Sequence, residues 1–331
     1  VTTVTCMFFA AISGSGPATV SAIGTFMIPE MKEKRYDPAF AAAITACAGS
    51  IGVIIPPSIP FVIYAVATGC SIADLFIAGV LPGIFVGLGL MVTSYVMAKK
   101  NGWRGSDEKP QIKKIGKAFR DALWALFVPV IILGGIYAGV FSPTEAAVAG
   151  VVYALFIGVF VYRELKWKQI YAALLESALI SGTVVFMVGL STSLAQILTM
   201  KQLPVKLGEL LFSISDSFIV IMIIINVLLL IIGCFLDNIS ATIVLAPILL
   251  PILMPLGMDP VHFGILMTLN LSIGFVTPPY GINLFVASNL SGVSIERIAM
   301  RAIPLIITML IVLMFITYVP GISLTLVNLL R

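Results

Sequence analysis

Apolar residues run along this chain in long unbroken blocks, and polar residues gather in a few short interruptions between them. Stretches such as 219–235 and 303–318 read as apolar on every face of a helix. A lipid-facing barrel strand would instead alternate apolar and polar positions over about ten residues. Lipid cannot satisfy free N–H and C=O groups, and about 20 residues at 1.5 Å rise cross the hydrocarbon, so the blocks predict bilayer-spanning helices. The expected fold class is an all-α polytopic membrane protein.

The blocks and interruptions predict a specific order of elements. An apolar segment 1–12 leads to Ser13-Gly14-Ser15-Gly16-Pro17, a second segment 18–29 and a charged loop 30–37. A long segment 38–70 is broken by Pro56-Pro57, and a span follows at 72–97. After a basic loop 98–120 come spans at 122–141 and 146–162, a third at 171–200, and a more polar stretch 201–217 expected along the outer interface. An arm 218–235, the interruption 236–240 and an arm 241–255 follow, then a segment 260–290 broken by Pro278-Pro279 and a final span 303–327. Residues 1–97 thus read as a first repeat, 98–120 as a cytoplasmic loop, 121–217 as connecting or scaffold helices, and 218–331 as a second repeat.

Composition sharpens the picture. Of 331 residues 60% are hydrophobic and 10% charged, against roughly 45–50% and 25% in a soluble domain, which excludes a soluble fold. The net charge of +4 is concentrated in loops. Lys99, Lys100, Arg104, Lys109, Lys113, Lys114, Lys117 and Arg120 face only Asp107 and Glu108, which marks 98–120 as cytoplasmic and reports orientation, not nucleic-acid binding. Cys6, Cys47, Cys70 and Cys234 lie in apolar stretches and read as small packing residues. Glu145, after Ser142-Pro143-Thr144, is expected at a helix N-terminus. The sequence carries no HExxH, P-loop or GxSxG motif, so no enzyme chemistry is indicated.

A fixed offset of 222 residues aligns the two halves. Pro29, Pro38, Pro56, Pro57 and Pro82 fall on Pro251, Pro260, Pro278, Pro279 and Pro304, with Asp37 on Asp259, Ser50 on Ser272 and Gly52 on Gly274. With 19 prolines in the chain, chance predicts about 0.2 such coincidences over roughly 70 residues. Lys32, Lys34 and Arg35 precede the first broken segment, whereas Arg297 and Arg301 follow the second, so the repeats are inverted. Inverted repeats, each with a re-entrant hairpin and a proline-broken transmembrane helix, are the pattern of secondary transporters. Hairpin tips and helix breaks at membrane depth persist where their free backbone groups line a cavity or bind an ion.

Candidate binding residues follow. The first tip offers Ser13, Gly14, Ser15 and Gly16, and the first break Pro56, Pro57 and Ser58. The second tip offers Asp237, Asn238 and Ser240, and the second break Thr277, Pro278, Pro279 and Asn283. Asp237 stands out, because an ionisable group inside a span marks a functional site, although it is equally suited to capping the following helix. Half-helix N-termini favour anions and unwound carbonyls favour cations, which suits an organic anion moved with coupled cations. His262, the only histidine, sits at an interfacial helix start and carries no assigned role; Asn226, Thr268 and Asn270 are read only as interhelical hydrogen-bond groups.

Residues 8–29 (FFAAISGSGPATVSAIGTFMIP), 48–69 (AGSIGVIIPPSIPFVIYAVATG), 141–147 (FSPTEAA), 235–251 (FLDNISATIVLAPILLP) and 259–283 (DPVHFGILMTLNLSIGFVTPPYGIN) carry a family resemblance. The chain resembles the large membrane subunit of tripartite ATP-independent periplasmic (TRAP) transporters, in the branch for C4-dicarboxylates. The resemblance implies an elevator-type transporter of the bacterial inner membrane. It also implies a small four-helix membrane subunit, a periplasmic substrate-binding protein, no cofactor beyond Na+ as coupling ion, and a further N-terminal stretch holding the first arm of the first hairpin. Carried over, sodium would sit near Ser13 to Gly16 with Pro56 to Ser58, and near Asp237 to Ser240 with Thr277 to Pro279, largely on backbone carbonyls. A standalone dicarboxylate or citrate symporter is the alternative, and an ion channel a more distant one.

Overall fold

In the computed structural model, residues 1–103, 105, 112–215 and 217–330 are described, and all their regular structure is helical. One compact unit is drawn from residues 1–105 and 191–331, a second from 106–190. The first unit begins with a hairpin, α1 (Thr2–Ser13) and α2 (Gly16–Glu33), and an interrupted helix, α3 (Pro38–Gly49) and α4 (Ile59–Thr68). Next comes the long α5 (Ile72–Lys100). The second unit holds α6 (Ile112–Tyr137), α7 (Pro143–Phe156) and most of α8 (Trp167–Met200). Back in the first unit, α9 (Leu203–Ile214) precedes a second hairpin, α10 (Phe218–Gly233) and α11 (Asn238–Leu253). A second interrupted helix, α12 (Pro260–Gly274) and α13 (Ile282–Ser291), then α14 (Ile295–Tyr318) and α15 (Gly321–Leu330), complete it. Six helices among the described residues are long and apolar enough to cross a membrane.

Three contacts fix how the interrupted helices run. At one end the Lys32 ammonium donates to the Ser291 carbonyl at 2.6 Å, and Arg301 Nε pairs with Asp37 Oδ2 at 2.8 Å. At the other the Tyr64 hydroxyl donates to the Pro260 carbonyl at 2.7 Å. The start of each interrupted helix therefore meets the end of the other, the antiparallel arrangement that the charge pattern predicts. α12 is buried along nearly its whole length, and with α3, buried from Ala39 onward, forms the centre of the core.

Local chemistry accounts for the ends of these elements. Asp37 and Asp259, the matched pair, cap α3 and α12 by accepting from Ala39 N at 3.0 Å and from Val261 N at 2.8 Å, each followed by proline at the first helical turn, where its missing N–H costs nothing. Because Asp37 both caps α3 and holds Arg301, Asp37→Ala is expected to lower stability by about 1–2 kcal/mol. Arg301→Ala removes only a half-exposed ion pair and is expected to cost less than about 1 kcal/mol. Thermal melts of the two variants in detergent check this order.

Several boundaries differ from the sequence expectation. The stretch read as the loop 98–120 is partly helix, since α5 runs to Lys100 and α6 starts at Ile112. Long basic side chains let a helix continue beyond its apolar portion by reaching back into water. Between them Trp103 packs on Tyr36 and Phe40, ring centroids 5.5 and 4.8 Å away. The final span is Ile295–Tyr318 rather than 303–327, because Pro320 offers no N–H and drives Val319 out of helical geometry, at φ −123° and ψ 78°. α9, within the stretch expected along the outer interface, packs on α11, with Gly208 facing Ile252. α11 and its following turn make a predominantly apolar stretch of 19 residues, long enough to span, so length alone does not distinguish a hairpin arm from a crossing. Residues 2–13, at the start of the chain, already form one arm of the first hairpin. In the second unit Glu145 closes a capping box: its Oε2 accepts from Ser142 N at 2.8 Å, and Ser142 Oγ accepts from Glu145 N at 3.3 Å.

Candidate functional site

Both hairpin tips and both helix breaks meet at one small cavity. It measures about 180 Å³ and is lined by Gly14 and Ser15 of the first tip and by Val53 and Ile59 flanking the first break. Asp237 and Asn238 of the second tip, and Phe275 and Ile282 flanking the second break, complete the wall. This volume suits ions with a few waters or one small acid, and is below the roughly 300–1,000 Å³ of drug-sized sites.

The first tip is made by backbone that a side chain would spoil. Gly14 ends α1 in the left-handed region, φ 62°, and a Cβ there would lie 2.8 Å from the Pro57 carbonyl oxygen. Ser15 turns extended to start α2, and the Gly14 carbonyl accepts from Ile59 N at 3.3 Å, tying the tip to the first break. The Thr19 hydroxyl donates to the Ser15 carbonyl at 2.7 Å, and the Ser13 and Thr19 hydroxyls share a hydrogen bond of 2.9 Å. Gly52 admits the tip closely: a Cβ on it would lie 2.6 Å from the Ser15 carbonyl oxygen. Ser58, buried, donates to the Val53 carbonyl at 2.6 Å and caps α4.

The second tip repeats the plan with a charge. Asp237 starts α11, its Oδ2 accepting from Ser240 N at 3.1 Å. Asn238 donates to the Thr268 carbonyl at 3.3 Å and accepts from the Thr242 hydroxyl at 3.2 Å. Gly274, matched to Gly52, touches the Gly233 backbone just before this tip, where a Cβ would collide. The Thr277 hydroxyl turns back to the Ile273 carbonyl at 2.8 Å. Pro278 and Pro279 are exposed. Asn283, fully buried, reaches across the repeats: its Nδ2 donates to the Ala46 carbonyl and to Ser50 Oγ, both at 3.1 Å.

Of the residues singled out from the sequence, Gly14, Ser15, Asp237 and Asn238 line the cavity. Gly16 packs on the Phe275 ring and Asn283, while Ser13, Ser58, Ser240, Thr277 and Asn283 shape the tips and breaks through the bonds described. Thr19, Val53, Phe275 and Ile282 escaped the sequence reading. Thr19 was legible as the residue one helical turn after Ser15, but the apolar wall residues carry no signal in so apolar a chain. Among the described lining residues Asp237 is the one with a formal charge and no Lys or Arg faces it, so the cavity favours a cation and admits an anion best with that cation present.

Antiparallel interrupted helices closing around a small cavity that holds one carboxylate, among helices long enough to cross a bilayer, define a multi-pass membrane protein built from inverted repeats. Residues 1–322 match the family described as the tripartite ATP-independent periplasmic transporter, DctM component, and the chain belongs to that family. It is 50% identical over 318 residues to the isethionate TRAP transporter permease protein DctMQ of Oleidesulfovibrio alaskensis, covering 96% of this chain and 50% of that protein. It is 41% identical over 323 residues to the C4-dicarboxylate TRAP transporter large permease protein DctM of Pseudomonas aeruginosa, covering 98% and 75%. To the sialic acid large permease protein SiaM of Vibrio cholerae it is 36% identical, covering 97% and 75%. The chain thus spans about half the length of the first of these relatives. The family is one of transporter components, not enzymes, and places the chain in the bacterial inner membrane as a multi-pass protein.

Proposed function

We propose that this chain belongs to the large permease subunit of a binding-protein-dependent importer that moves small organic anions into the cell with sodium. The observation that carries this reading is the meeting of both tips and both breaks at a cavity whose one charged lining residue is Asp237. A sodium ion beside Asp237 to Ser240 and Thr277 to Pro279, and another beside Ser13 to Gly16 and Pro56 to Ser58, would supply the positive charge that an organic anion needs there. Backbone carbonyls freed at the breaks are suited to hold them. Relatives named for C4-dicarboxylate, sialic acid and isethionate favour a carboxylate, or an acid of similar charge, as the substrate.

In this reading the unit containing both hairpins moves as an elevator, a small membrane subunit supports it, and a periplasmic binding protein delivers the substrate. The test is uptake of labelled succinate into liposomes holding the full-length subunit and its genomic neighbours, with and without a sodium gradient and binding protein. Uptake that requires both is the expected result. Uptake without the binding protein would favour a standalone symporter, and flux at channel rates without coupling would favour a channel.

A further inference from the structure

The cavity lies where the two repeats mirror each other. Eight of its eleven described lining residues form four pairs at the offset of 222 residues, so the approximate two-fold axis relating the repeats passes through it. Two pairs are apolar on both sides, Pro17 with Ile239 and Pro60 with Ile282. The other two are unequal. Ser15 is matched by Asp237, which puts the charge on the second repeat, and Val53 is matched by Phe275, which puts the bulk there as well. The offset alone is silent about this second difference, because valine and phenylalanine are both ordinary in so apolar a chain.

Phe275 is held where it stands. It follows the last residue of α12, just before the second break, and its carbonyl accepts from Asn283 N at 3.0 Å. Its ring reaches the first tip: Cδ2 and Cε2 lie 3.1 and 3.2 Å from where a Cβ on Gly16 would stand, and glycine at that position leaves room for the approach. A buried ring, pressed on the opposite tip and fastened through its own backbone, has little space into which to withdraw. Val53, on the matched wall, ends at its Cγ atoms. The cavity is therefore bounded by a ring on one side and by a short branch on the other. At about 180 Å³, below the roughly 300–1,000 Å³ of drug-sized sites, it is small enough for the bulk of one ring to decide what enters.

We propose that Phe275 sets the width of the acid that the cavity admits, so that the permease itself selects slim acids over branched or ring-bearing ones of the same charge. This rests on the reading of the cavity as the organic-anion site. Asp237, with its cation, holds the charged end of the substrate at the second tip. Phe275, on the wall supplied by the same repeat, limits what the carbon skeleton can carry. The charge thus recognises the class of substrate and the ring its shape. One methylene more or less in an apolar pocket shifts discrimination about 10–200-fold, and phenylalanine in place of valine is a larger change than that.

The test is direct binding of succinate, methylsuccinate and phenylsuccinate, by calorimetry in sodium, to the full-length subunit with the small membrane subunit in lipid nanodiscs and no binding protein. These acids share charge and length and differ in width. Wild type is expected to bind succinate best and phenylsuccinate at least about ten-fold more weakly, with methylsuccinate between. Phe275→Val, which copies the matched wall, is expected to raise the affinity for phenylsuccinate relative to succinate by about ten-fold or more, and Phe275→Leu by less. Phe275→Leu keeps more bulk and carries the test should Phe275→Val fail to fold, as judged by a thermal melt. Equal binding of succinate and phenylsuccinate by wild type, or an unchanged ratio in a folded variant, overturns the role of Phe275 and leaves the anion site standing. Absence of binding by any of the acids overturns the anion site, and the width filter with it.

Discussion

Asp237→Asn is expected to abolish sodium-driven uptake while the protein still inserts and folds. Asparagine caps helices as well as aspartate does, so the bond from Ser240 N survives and α11 keeps its start. What disappears is the one formal charge lining the cavity. Asp237→Ala removes charge and cap together and is expected to cost about 1 kcal/mol more in stability. Uptake into liposomes with an imposed sodium gradient, beside a thermal melt of each variant, separates the two effects. Full uptake by Asp237→Asn would remove Asp237 from the coupling machinery and leave it a capping residue.

The second large effect concerns glycine at matched positions. Gly274→Ala would drive a methyl group into the Gly233 backbone, and backbone on both sides leaves no flexible side chain to yield. Overpacking of this kind costs about 1–3 kcal/mol, and here the displaced element carries the Asp237 tip. Gly52→Ala meets the Ser15 carbonyl oxygen at 2.6 Å and pushes the other tip. Both variants are expected to lower the melting temperature and transport together, whereas Gly69→Ala, with open space around its Cβ, tests the cost of a left-handed glycine alone. A wild-type melting temperature in Gly274→Ala would show that the hairpin is not held at this distance.

Much of this architecture is legible in the sequence because lipid makes the backbone demand uniform: any apolar block must be helix, and any proline pair at mid-depth must be a break. The offset of 222 residues even paired Gly52 with Gly274. Its meaning stayed hidden, since the close approach depends on where Ser15 and Gly233 arrive from other elements. Pro320 lay in plain view, yet hydropathy runs on through residues 321–330 and disguises two helices as one. Asn283 was legible as a polar residue near a break, but its partners are 237 and 233 residues away, and no local pattern names them.

The span between Asn283 and Ala46 also sets a timetable for synthesis. At 5–20 residues per second, the 237 residues separating them take about 12–47 seconds to emerge. Through that interval the first interrupted helix lacks the amide that bridges it to the second. An unfinished chain must therefore shelter its Ser50 region in the insertion machinery or in water. Slowing the ribosome downstream of α4 lengthens the time for which the nascent protein is exposed to quality-control proteases.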